Sequence, residues 1–423
     1  MKAPHPLRGI PSRQHRLFAV LAAVVLPAAA QEVDLGWTTR VIAEAHQRRG
    51  DSIFGPGLDL TSFGSERGRI EQEVRGRVGP ANVLLTATAA GQQGQKPGAR
   101  LRVHEAFVDF KLGGERFTAG KKVLSGDVGY AFRPIDVLQR ESRLQLQAPP
   151  MEGIPSLSWD NFTADSAWSV VLSNPGHGQR DATRDDGSVA LKLYRRAGTV
   201  DLHGIARHSV RNGVEIGAAV AAVPDDALEL HASLLHQQRG EQRVPLADGA
   251  TLTQLLSSEQ ALESRRLGAL QKALVGATWT AENGLSLMSE LWWDGSANSA
   301  ADWQCLARNA AQRNALLTIP GVPAVAVNGA NAASTRLFAQ ANLARRGALV
   351  RVAWSDATNG WSAAADLLAS LEDGGRSLTL SVGHSADQLR IDGGIRIYGG
   401  KPDSAFGLLP ERRAIFVALS LAY

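Results

Sequence analysis

The chain has 423 residues, with 45 Lys and Arg against 41 Asp and Glu. Four of the basic residues fall within the first 30 positions, where there is no acid, so the remainder carries 41 charges of each sign and gives no reason to expect nucleic acid as a partner. Cys305 is the single cysteine, which excludes an internal disulfide and a cysteine-based zinc site, and beyond the N-terminal segment no apolar run approaches the roughly 18 residues of a membrane-spanning helix.

The N-terminus carries Lys2, Arg8, Arg13 and Arg16, then an apolar run over 17–26, then Pro27 and Ala28-Ala29-Ala30. A basic region, a short apolar core and small residues make a secretory signal peptide, with cleavage expected after Ala30. Residues 31–423 are then read as one domain.

Beyond residue 65, alternation of apolar and polar side chains recurs almost continuously, the mark of strands with unlike faces. Over 69–78, Arg69, Glu71, Glu73, Arg75 and Arg77 share one face, and Ile70, Gln72, Val74, Gly76 and Val78 the other. The pattern continues over 200–207, 213–220, 226–234, 335–343, 347–356, 360–371, 377–384 and 389–398. Within 100–112 it changes phase: Arg100, Arg102 and His104 are even, whereas Glu105, Asp109 and Lys111 are odd, which predicts a β-bulge at His104–Glu105. Helix-like spacing over 303–317 and in 252–275 predicts short helices inside loops.

Short turns are expected near 79–82, 113–115, 163–165, 196–198, 224–226, 282–284 and 345–347. Longer connections near 47–67, 91–98, 125–152, 175–187, 239–267 and 295–333 alternate with them, apart from a short one near 209–213. The segments number nineteen. Termini on one side require an even count, so either one of the two strands read between 295 and 356 is false or Val322 to Val327 adds another. The count adopted is about 18, within 16 to 20. Trp37, Trp159, Trp168, Trp292, Trp293, Trp354, Trp361, Tyr398 and Tyr423 fall near strand ends, where interfacial girdles form. The chain closes on Ile415, Val417, Leu419, Leu421 and Tyr423 along one strand face, with Phe416, Ala418, Ser420 and Ala422 on the other.

Signal peptide, alternating strands, unequal loops and a terminal aromatic strand together resemble Gram-negative outer-membrane β-barrels of the porin type. The fold class expected is all-β: a closed antiparallel transmembrane barrel in the outer membrane. Ile415, Val417, Leu419, Leu421 and Tyr423 resemble the C-terminal membrane-insertion signal of such proteins, implying outer-membrane lipid and the barrel-assembly machinery as partners. The segment from Phe117 to Arg143 is similar to the third-hairpin region of porins, where a short strand leads into a loop that folds inward. By that resemblance Arg133, Asp136, Arg140, Glu141 and Arg143 line a constriction. The polar strand faces supply further wall residues: Arg69, Glu71, Glu73, Arg75, Arg77, Arg100, Arg102, Asp109, Lys111, Glu229, His231, Arg336, Arg351, Arg390, Asp392 and Arg396. Facing charges of both signs across an enclosed lumen select solutes by charge and hydrogen bonding. The function read from this is passive diffusion of small hydrophilic solutes, with no enzymatic step, metal or cofactor, and with the oligomeric state open. A plugged barrel acting as a hydrolase or adhesin is the alternative. His203, His208, His231 and His236 lie near Ser209 and Ser233, but a triad is recognised by geometry, and no nucleophile-elbow motif is present.

Overall fold

The computed structural model describes residues 33–54, 65–93, 95–139, 146–174 and 186–423. The expected signal peptide and its cleavage point lie outside these residues. Twenty strands follow in chain order. The first nine are β1 (Val33–Arg48), β2 (Ser65–Val78), β3 (Ala81–Gln92), β4 (Gly98–Leu112), β5 (Glu115–Lys122), β6 (Ile154–Phe162), β7 (Ser166–Ser173), β8 (Ser188–Ala197) and β9 (Val200–Ser209). Next come β10 (Gly213–Asp225), β11 (Leu228–Gln237), β12 (Gly240–Pro245), β13 (Leu262–Leu267), β14 (Leu270–Thr280) and β15 (Leu285–Asp294). The last are β16 (Arg346–Ser355), β17 (Trp361–Ser370), β18 (Arg376–Ala386), β19 (Leu389–Gly399) and β20 (Glu411–Ala422). Strands β12 and β13 pair only with each other; the other 18 form one antiparallel sheet.

That sheet closes on itself. Strand β1 pairs with β2 along its length and with β20 from Thr38 opposite Ala422 to Arg48 opposite Glu411. Closure leaves no row of unpaired backbone groups, the condition for crossing hydrocarbon with strands. The faces are inverted relative to a protein in water. Ile70, Leu101, Leu157, Leu191, Ile216, Leu234, Val275, Leu291, Val352, Leu380, Ile415 and Val417 are exposed on the outside, whereas Glu71, His104, Arg207, Glu215, His231, Lys272 and Glu290 are buried within. This is the apolar outer band and polar interior of an outer-membrane barrel. Trp292 and Tyr398, expected in an interfacial girdle, turn inward and are buried.

The bulge falls where the phase change placed it. Leu84 faces Glu105 and Leu85 faces Val103, so His104 is the extra residue. Short turns close one end of the barrel. Gly79 and Gly198 take positive φ there, as do Gly113 and Gly114, a backbone region that favours glycine. The other end carries the long loops. There the β12–β13 hairpin and helices α1 (Leu252–Leu256), α2 (Ala300–Leu316) and α3 (Ala324–Ser334) build a cap. Trp303, Leu306 and Ala310 of α2 pack with Phe54, Leu337, Phe338, Phe406 and Leu408 in its core.

Three expectations are corrected. Residues 335–343 contain no strand; Thr335–Ala339 is a 3-10 turn continuing from α3. Leu337 and its neighbour Phe338 are both buried in the cap core, which a strand with one lipid-facing side cannot achieve. Arg336 is therefore not a wall residue, and Val322 to Val327 enters α3 instead of an extra strand. Finally, 345–347 is not a short turn but the start of β16, reached from the cap. Removing the false strand resolves the odd count to 18.

Candidate functional site

Strand β5 is only eight residues long, and the chain leaves the wall after it. Gly120, at φ +133°, marks the departure: a Cβ there would sit 2.3 Å from the Ala106 carbonyl oxygen. Residues 123–139 and 146–153 then fold into the barrel. Inside the first of these stretches, the Gln139 amide oxygen accepts from Leu124 N at 2.9 Å, and Asp136 accepts from the Ser125 hydroxyl and Gly126 N at 2.7 and 2.8 Å. Asp127 accepts from Val128 N and Ile135 N at 2.7 and 2.6 Å. Burial pushes the Asp127 carboxyl up to about 6, against these two hydrogen bonds.

The loop is fastened to the opposite wall. Glu290 on β15, fully buried, accepts from Tyr130 N at 2.6 Å and Ala131 N at 2.7 Å, and His231 on β11 lies 3.0 Å from the same carboxylate. Arg351 on β16 donates to the Tyr130 hydroxyl at 3.1 Å and pairs with Asp366 at 2.6 Å. Apolar contacts follow the same course. Leu124 and Leu138 pack on Ile154, Val171 and Ala190, Ile135 and Val137 on Ile205, Ala219 and Leu235, and Phe132 near Trp292, Leu274 and Leu349. The first part of the loop, 124–138, thus lines the interior of β6–β11 and β14–β16 and leaves a space on the side formed by β1–β4, β19 and β20, which Gln147 and Glu152 of its second part border.

A cavity of about 590 Å³ occupies that side. Along one wall, charges of alternating sign interlock. Arg40 pairs with Glu71 at 3.3 Å, Arg69 with Glu71 at 3.0 Å and with Glu44 at 3.5 Å, and His46 with Glu411 at 2.8 Å. Gln147 of the inward loop accepts from Arg40 at 3.0 Å and from Arg69. Lys96, Arg100 and Arg102 extend the same wall: Glu71 faces Thr88 on β3 and Thr88 faces Arg100 on β4, with Lys96 in the loop before β4 and Arg102 3.9 Å from Glu152. A second cavity, of about 550 Å³, lies under the cap between Gly329, Ala332, Phe338, Arg336 and Leu409. Tyr398 and Glu411 belong to the lining of both cavities.

Of the residues expected from sequence, Arg69, Glu71, Arg100 and Arg102 come together around the larger cavity. Glu73 is half-buried beside exposed Arg75, at 3.7 Å, and Arg77 donates to the Gly79 carbonyl, toward the short-turn end. Asp109 accepts from Thr118 at 2.6 Å near that end, Lys111 is exposed there, and Arg390 pairs with Asp392 at 2.8 Å. Arg396 donates to Thr379 at 2.8 Å. Arg133 donates to the Gly129 carbonyl and lies 3.7 Å from Asp136, which is itself buried within the loop. Arg140, Glu141 and Arg143 lie outside the described residues. Sequence reading missed Glu44, His46, Arg40, Tyr398, Glu411 and Glu290. All but Glu411 sit at inward positions that alternation marks; Glu411 lies past a register shift in β20, out of phase with Ala414 and Phe416, and the partners of Glu290 lie about 160 positions away. His208 and His236 are exposed on the outer face, and among the described residues no serine hydroxyl hydrogen-bonds a histidine.

Neither protein-family models nor curated protein sequences give a match to this chain. Solved structures do. Acinetobacter baumannii OccAB1 is 10% identical with a TM-score of 0.56, over 92% of this chain and 96% of that one. Pseudomonas aeruginosa OccK8 (OprE) is 8% identical at 0.53, over 93% and 98%, and Acinetobacter baumannii OccAB3 is 8% identical at 0.53, over 93% and 99%. At such identity the likeness is one of fold. Together with the closed sheet and its exposed apolar band, it gives the chain the fold of a porin-type outer-membrane β-barrel.

Proposed function

We propose that the protein is a passive channel for small hydrophilic solutes, running past the cap into the mixed-charge lumen. One observation carries this reading: the cavity under the cap and the cavity in the barrel share Tyr398 and Glu411 as wall residues, on the side the inward loop leaves open. Solutes would pass along one wall on which the Glu44–Arg69–Glu71 series on β1 and β2 adjoins Lys96, Arg100 and Arg102 on and before β4, a surface of both signs that selects by charge and hydrogen bonding. Arg133, between the loop backbone and Asp136, narrows the passage from the loop side. The exposed outer face of β20, with Ile415, Val417 and Tyr423, serves as the segment by which the barrel-assembly machinery inserts the chain.

Purified protein in planar lipid bilayers should give discrete conductance steps. The pair Arg100→Gln and Arg102→Gln should shift the reversal potential in a salt gradient toward cation preference. Absence of any conductance from correctly folded barrel would refute the channel.

A further inference from the structure

Three arginines stand on the outer face of the barrel at the long-loop end. On β16 the outward file reads Arg346, Ala348, Val350, Val352, Trp354; on β18, Arg376, Leu378, Leu380, Val382; on β20, Arg413, Ile415, Val417, Leu419, Leu421. In each the apolar series ends at arginine, one pleat above the last apolar side chain. The opposite faces of these strands hold buried Leu349, Ser377, Thr379, Ala414 and Phe416, so the arginines point away from the lumen.

Their spacing is set by the sheet. Strand β17 separates β16 from β18, and β19 separates β18 from β20, so the backbones of neighbouring arginines stand about 12 Å apart, two strand intervals across and two residues along. Register staggers them by two residues at each step, the slant expected of tilted barrel strands: Leu371 N donates to the Arg346 carbonyl while Arg376 faces Ala369, and Arg376 faces Gly399 while Arg413 faces Ile397. Arg346 lies over the Trp293 ring, 4.9 Å from its centroid, and 3.2 Å from Glu372. Arg376 and Arg413 are exposed and have no hydrogen-bond or ion-pair partner among the described residues.

A cation directed sideways at the top of a lipid-facing band cannot serve a solute in the lumen. It can serve a headgroup in the membrane plane, where arginine pairs bidentately with phosphate. Long loops mark the outer-leaflet side of such barrels. We infer that Arg346, Arg376 and Arg413 form a binding row for the phosphates of an outer-leaflet glycolipid. Positions spaced across four strand intervals suit a saccharide headgroup bearing two phosphates better than a phospholipid bearing one.

Native mass spectrometry of the full barrel in detergent tests this, with bisphosphorylated lipid A, its dephosphorylated form and phosphatidylglycerol as probes. The wild type should retain bisphosphorylated lipid A, and the double variant Arg376→Gln with Arg413→Gln should retain it about tenfold less. Arg376→Lys with Arg413→Lys should keep most of the binding. Dephosphorylated lipid A should bind the wild type no better than the intact lipid binds the glutamine variant. Equal retention of the dephosphorylated form, or of phosphatidylglycerol, overturns the inference, as does undiminished binding by the glutamine variant. Heat-modifiable gel migration reports folding, and if the glutamine variant misfolds, the probe comparison on the wild type still decides.

Discussion

Glu290 is the side chain on which the inward loop turns. Its carboxylate is buried and receives two loop N–H groups besides facing His231. Charge-assisted hydrogen bonds of this kind contribute about 1.5–3 kcal/mol each, and removing the acceptor strands both donors. Glu290→Ala should therefore release the Tyr130 end of the loop while the barrel, held by its own ladder, stays folded. Larger and noisier conductance, with new protease cleavage within 124–139, would report this; unchanged traces and unchanged resistance would count against it. Asp127 adds a pH dependence to the same loop. Its carboxyl is pushed up to about 6 from 3.8, first by burial. Between those values the packed loop holds a proton that an unpacked one releases, so loop packing weakens as pH rises through this window and levels off above it. Protease susceptibility of the loop should rise from pH 4 to pH 6 in the wild type and stay flat in Asp127→Asn. Neither role could be read from sequence: alternation marks Glu290 as an inward acid without naming what it meets, and Asp127 lies on a loop where no alternation applies.

Among the elements, β5 decides whether there is a constriction loop at all. An ordinary strand would continue up the wall; this one ends at Lys122, two residues past Gly120, whose φ of +133° and 2.3 Å clearance to the Ala106 carbonyl admit no side chain. Gly120→Ala should sharply reduce the yield of heat-modifiable barrel on refolding. Gly98→Ala, at a position with nothing within 4 Å, should leave it unchanged. The bulge at His104 and the exit after Lys122 were legible because each breaks a local period: two polar residues in succession for the first, a run of small and charged residues for the second. The segment 335–343 was misread for the converse reason. Thr335, Leu337 and Ala339 alternate with Arg336, Phe338 and Gln340, but the alternation is incidental to a turn that buries Leu337 and Phe338 together. Period two over nine residues describes a strand only if a partner strand is there to pair with it. The partner of β15 is β16, and the residues between them are occupied in building the cap.

At the scale of the whole molecule, two one-dimensional signals sufficed for the architecture: alternation and the unequal lengths of successive connections. Both follow from a sheet that must show one face to hydrocarbon and turn at two chemically different surfaces. What they could not carry was the interior, where residues from strands far apart in sequence meet across the lumen. The C-terminal strand belongs to both accounts, since its two faces have different duties. Phe416 points inward and is buried, and its ring would be within 2.7 Å of any Cβ at position 394, so Gly394 leaves it room. Tyr423 points outward, 59% exposed, with its ring 6.1 Å from Trp37 and its N–H donating to the Trp37 carbonyl. Phe416→Ala should cost about 3–5 kcal/mol in the urea unfolding of refolded barrel. Tyr423→Ser removes little buried contact and should shift that unfolding by less than about 0.5 kcal/mol. In cells the order should reverse: the serine variant should reach the outer membrane in much lower amount than its stability accounts for, because the exposed face of β20 acts before the barrel closes. If the two variants lose membrane-assembled protein in proportion to their stability, the outer face of the last strand is a lipid contact and nothing more.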